Sequence, residues 1–99
     1  ASTLFEVEKP NIQLGIGFDA LPVSIRSSSI LSGNDLAQLA NVNEIPNIDP
    51  SFNDDKLKHI IQYYSLNTEE MERELHSYAK TLLQQGKVKE AWQILLASI

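Results

Sequence analysis

The chain has two imidazoles, His59 and His76, and each follows a carboxylate at helical spacing: Asp55 before His59, Glu72 before His76. A separation of i, i+4 places carboxylate and ring on one face of a helix. Two such pairs on adjacent helices could converge on a divalent metal ion. Asp55, His59, Glu72 and His76 would then serve a metal-dependent enzyme, or an accessory domain of a larger one. A carboxylate one turn before a histidine is also common on solvated helix faces. The residue pattern therefore favours surface acid–histidine contacts and no metal, with the metal-dependent enzyme as the alternative.

The other candidates for chemistry are weaker. Gly15-Ile16-Gly17 resembles part of a dinucleotide fingerprint, but the third glycine is absent and Pro22 follows. No strand–helix–strand unit surrounds it, so the glycines serve a bend or tight packing and no cofactor is expected. Ser27-Ser28-Ser29 and Ser32 offer hydroxyls without a base beside them in sequence; His59 or His76 could approach only through the fold. Arg26 next to the serines is a phosphorylation context, although a flexible connector accounts for the run more simply. Glu69, Glu70, Glu72 and Glu74 cluster at the start of a helix, where they offset its dipole, and no glycine-containing loop accompanies them to bind calcium. The absence of cysteine removes disulfides, thiolate catalysis and Cys-zinc sites.

Composition narrows the partners. A chain of 99 residues is one domain by length. It buries about 60–65% of its unfolded surface, so its core is modest. Hydrophobic residues make up 42% and the net charge is −5. The excess is in the first half, where Lys9 and Arg26 face Glu6, Glu8, Asp19, Asp35, Glu44 and Asp49. A polyanion is repelled there and gains little elsewhere, so neither nucleic acid nor an anionic membrane is expected. No apolar run approaches the ~18 residues of a membrane span. Ala1-Ser2-Thr3-Leu4-Phe5-Glu6 carries neither the basic nor the apolar part of a secretory leader, so a cytoplasmic location is expected.

The elements that would position these residues are mainly helical. Thr3 to Glu8 and Ile12 to Phe18, split by Lys9-Pro10-Asn11, read as extended, with Ile12, Leu14, Ile16 and Phe18 alternating. They predict an extended or β-hairpin arm. A connector follows, with a short helical turn over Leu21 to Arg26. Ser32 and Asp35 form a capping box, and Leu31 and Leu36 a hydrophobic staple, for a helix ending near Asn41. A proline-marked loop leads to a helix from Ser51–Asn53 to about Ser65, with Leu57, Ile60, Ile61 and Tyr64 on its apolar face and Tyr63 off it. Asn67 caps the next helix, with Leu66 and Met71 as its staple. That helix carries Met71, Leu75, Tyr78, Ala79, Leu82 and Leu83 and ends at Gly86. The last runs from Val88 with Ala91, Trp92, Leu95, Leu96 and Ile99, and Trp92 belongs to the core. The expected architecture is a bundle of three to four helices (residues 33–99) ending in an antiparallel hairpin, with an N-terminal arm and connector (residues 1–32).

Leu75, Tyr78, Ala79, Leu82, Gly86, Ala91 and Leu95 give residues 72–98 a further reading. This segment resembles a single tetratricopeptide-type helix hairpin, in which small Ala79 and Ala91 let the helices approach. The resemblance covers about a quarter of the chain, and the family stacks several such units. It implies a groove face of Arg73, His76, Lys80, Leu83 and Gln84, suited to an acidic or carboxyl-terminal peptide. With Phe18, and the apolar residues from Ile12 to Ile30 that need a surface to cover, these are the candidate partner-binding residues. The reading that best joins these features is a non-enzymatic interaction or assembly module. Its partner is another protein or a second copy of itself.

Overall fold

The structure is a computed structural model and describes residues 15–99. The segment Thr3 to Glu8, and the expected strand from Ile12 up to Leu14, lie outside the described residues. The described elements are a 3-10 turn (Phe18–Ala20) and five helices: α1 (Val23–Arg26), α2 (Gly33–Ala40), α3 (Asp55–Tyr63), α4 (Thr68–Gln84) and α5 (Val88–Ala97). Among the described residues there is no strand, and no helix is long and apolar enough to cross a membrane. Phe18, read as the end of an alternating strand, begins the 3-10 turn. Gly17 before it has φ +88°, a conformation that glycine adopts without strain.

Local chemistry explains where the helices begin and end. Ser32 accepts from the Asp35 N–H while the Asp35 carboxylate accepts from the Ser32 N–H, closing the capping box of α2. Leu31 and Leu36 are both buried beside it, as a staple requires. The far end of α2 has its Ala40 carbonyl taken by the Ile16 N–H at 2.8 Å. The approach is so close that a Cβ on Gly15 would lie 2.3 Å from that oxygen. Asn67 caps α4 through the Glu70 N–H. The α4 terminus is a Schellman motif: Gly86 N–H bonds Leu83 O and Lys87 N–H bonds Leu82 O, with Gly86 at φ +78°. The connection is so short that α5 turns straight back along α4.

Two boundaries differ from the sequence reading. The α3 cap is Asp54, which accepts from the Leu57 N–H at 2.8 Å, so the helix starts after Ser51–Asn53. Phe52 and Leu57 both pack against the core. Leu66 is 99% exposed and makes no staple with Met71. The Tyr64–Asn67 turn, closed by Asn67 N–H to Tyr64 O, carries it away from α4.

One apolar cluster joins all five helices: Leu21 and Ile25, Leu31, Leu36 and Leu39, Ile60, Leu75, Ala79, Leu82 and Leu83, and Ala91, Trp92, Ile94 and Leu95. Each buried Leu or Ile contributes about 1.5–3 kcal/mol relative to exposure. Trp92 sits at the centre, and its indole N–H donates to Leu39 O at 3.1 Å, pinning α5 to α2. The helices thus form a small bundle around the α4–α5 pair.

Candidate functional site

The segment between α2 and α3 has no apolar periodicity, yet it is held in place. Gln93, on α5, clasps it with both ends of its amide. Its Oε1 accepts from the Asp49 N–H at 3.0 Å and its Nε2 donates to Asn47 O at 2.9 Å. Asp49 turns the chain through its own Oδ1, which accepts from the Ser51 hydroxyl at 2.6 Å and the Ser51 N–H at 2.9 Å. These bonds hold the Asp49 carboxyl below the usual carboxylate range. At the far end the Tyr78 hydroxyl donates to Asp54 Oδ2 at 2.7 Å, while Oδ1 of that residue caps α3. Burial first, then this carboxylate, pushes the Tyr78 phenol up to about 12.

The loop does not seal against α5. A recess of about 500 Å³ remains, with Val42, Pro46 and Phe52 as its apolar lining over the buried Trp92 and Asn43, Glu44, Asp49, Lys89, Glu90 and Gln93 around them. A volume of that size, an apolar lining and a few placed polar groups are the features of a binding pocket.

A second arrangement brings a histidine to a serine. Ser28 Oγ lies 2.8 Å from His76 Nδ1, and both residues line a cavity of about 270 Å³ with Ser24, Ser27, Ser29, Glu69, Glu72 and Arg73. The spacing is that of a nucleophile and its base. However, Ser28 Oγ also accepts the Ile30 and Leu31 N–H groups at 3.0 and 3.1 Å. With both lone pairs engaged, the hydroxyl has only its proton left to offer, and Nδ1 takes it. The ring is then neutral, with its hydrogen on Nε2, and that nitrogen is buried without a partner. His76 is 3% exposed, and burial, opposed by Glu72, lowers its pKa. An oxygen that closes a backbone turn with both lone pairs is poorly placed to attack a substrate. The pair acts as a fastening between the serine turn and α4.

The remaining sequence candidates are dispersed. His59 is exposed on α3 with Asp55, its ring stacked on Tyr63 at 5.8 Å between centroids. His76 and Glu72 are on α4. Among the described residues no three His, Asp or Glu side chains come together where they could hold a metal ion, so the two pairs do not form the cluster that the alternative, metal-dependent reading requires. The expected groove face is divided between buried and exposed residues. His76 is buried, Arg73 pairs with Glu70, and Lys80 Nζ meets Asp35 Oδ2 at 2.7 Å. Gln84 and Phe18 are exposed. Burial would raise the Asp35 pKa, but the bonds from Lys80 and Ser32 outweigh it and hold the carboxyl low.

The sequence reading missed the Gln93 clasp, the Lys80–Asp35 pair and the Ser28–His76 pair. One signal for the last was present: His76, Ala79 and Leu83 share a helical row beside Leu75 and Leu82. Compared with known proteins, the chain matches no family model, no curated protein and no solved structure.

Proposed function

We propose that this chain is a non-enzymatic protein-interaction module and that the recess between the Val42–Phe52 loop and α5 is part of its contact face. The observation that carries this reading is a concave apolar surface fixed by bonds on both sides of it. Gln93 holds the loop, and the Trp92 indole is held by α2. A pre-formed pocket lowers the ordering cost of binding. The acidic charge argues for a protein rather than nucleic acid as the partner. The resemblance of residues 72–98 to a tetratricopeptide-type hairpin supports a binding role. His76 is buried and Lys80 is engaged by Asp35, while Arg73 stays exposed in a surface pair with Glu70, so in this reading the partner meets the loop side of α5 rather than the groove that the resemblance implies.

The test places a photo-crosslinking amino acid at exposed Asn43, on the recess rim, and as a control at exposed Ser77 on α4. The full chain is irradiated in a cell extract and alone at micromolar to millimolar concentration. We expect an adduct from position 43 that excess unlabelled chain suppresses and that position 77 does not give. A second copy in that adduct makes the module self-associating, and another protein makes it an adaptor. Equal labelling from both positions removes the recess as the contact face.

A further inference from the structure

We infer that the recess beside α5 takes an arginine-type cation flanked by an apolar residue, presented by a basic segment of a partner protein. The inference rests on the interaction reading above and adds the chemistry of the occupant. Glu44, Asp49 and Glu90 stand around the apolar wall, with Lys89 as the single cation of the lining. Among the described residues none of the three carboxylates is in an ion pair; the two ion pairs there are Arg73–Glu70 and Lys80–Asp35.

The polar groups already in use sharpen the chemistry. Both ends of the Gln93 amide are engaged by the loop, so this side chain offers an incoming ligand nothing. Asp49 uses Oδ1 for Ser51, and Oδ2 has no donor among the described side chains. The lining thus combines three carboxylate residues, Glu44, Asp49 and Glu90, with apolar Val42, Pro46 and Phe52. An anionic ligand is repelled. A neutral apolar ligand fills the wall but leaves the carboxylates without counter-charge. A guanidinium on an aliphatic stem satisfies both: the stem lies on the apolar wall and the planar head donates to carboxylate oxygens. The rim is open to water, so the charge contribution is modest and sensitive to salt.

The experiment titrates the full ¹⁵N-labelled chain with acetyl-Leu-Arg-amide, acetyl-Leu-Gln-amide and acetyl-Leu-Glu-amide, following amide resonances. The arginine probe should move residues 42–53 and the Gln93 side-chain NH₂, and bind about fivefold more tightly than the glutamine probe at low salt. In a chain with Glu44→Gln and Glu90→Gln the two probes should bind within about twofold of each other. These are surface positions, and an unchanged melting temperature shows that the fold is kept. Recess shifts of equal size with all three probes would overturn the cationic occupant and leave the recess as a binding surface. Shifts confined to other residues, or none, would overturn both.

Discussion

Two segments without long helices lie against the α4–α5 pair, and they are attached in opposite ways. Residues 15–32 insert apolar side chains: Leu21, Ile25 and Leu31 enter the core, and the Ser28–His76 bond closes over them. Residues 41–54 reach the pair through polar bonds from Gln93 and Tyr78, and their apolar side chains Val42, Ile45 and Phe52 are only partly buried. Apolar attachment fills space, because side chains interdigitate to close packing. Polar attachment fixes a few atoms and leaves the space between them open. The recess is the consequence, and it explains how one small domain combines a sealed side with a receptive one.

The comparison can be broken by mutation. Ile25→Ala should cost about 2–4 kcal/mol, read from urea unfolding, because α1 loses its buried anchor. A cost below about 1 kcal/mol would show that the first segment is no better packed than the second.

Between pH 7.5 and 5.5 acid should act next, through the first segment. In the unfolded chain a histidine takes its proton near 6.5, whereas burial holds folded His76 unprotonated to lower pH. Through that interval the unfolded state binds more protons, so stability is complete above the unfolded value and falls as pH drops through it. The neighbouring charges do not remove the effect. On α4, Glu72 favours the charged ring, Glu69 lines the same cavity, and the cations Arg73, paired with Glu70, and Lys80, paired with Asp35 of α2, stand beside them; burial outweighs the carboxylate and keeps the ring neutral. The facing turn offers serine hydroxyls, and the Arg26 side chain donates to Leu21 O. Urea midpoints at pH 7.5 and 5.5 should differ in the parent chain and in His59→Gln, and converge in His76→Leu. Convergence in His59→Gln instead would place the sensitivity on the exposed ring.

Gln93→Ala should cost about 1 kcal/mol or less globally while sharply raising hydrogen exchange at the Asp49 amide. If it destabilises the protein as much as Ile25→Ala, the loop is part of the cooperative core. Leu66→Ser, at the most exposed large apolar position among the described residues, should stay within about 0.5 kcal/mol of the parent in the same titration.

The helices were legible because their signals are local. Ser32 with Asp35, Asn67 with Glu70, and Gly86 after Leu83 each act within one turn, and the apolar rows of α4 and α5 repeat at the helical period. Leu66 shows the limit of such signals: a residue at staple spacing was carried outward by the turn that precedes the helix. The polar bonds that shape the candidate sites join residues far apart in sequence, as in Lys80 with Asp35 and Gln93 with Asn47. Nothing in the spacing of either partner announces the other. His76 owed its groove-facing place to the resemblance of residues 72–98 to a tetratricopeptide-type hairpin, not to a pattern in its own neighbours. Its burial follows from where α1 and the serine turn settle, which no local pattern states.

Asp35 carries a last consequence. One carboxylate begins α2 by holding the Ser32 N–H and also receives the ammonium of Lys80 from the middle of α4. Fraying of the first turn of α2 would strand a charge 4% exposed to water, and withdrawal of Lys80 would loosen that same turn. The two helices are therefore wired to open together. Slow-exchanging amides at Leu36 and along the middle of α4 should report a single breathing motion with one shared opening free energy.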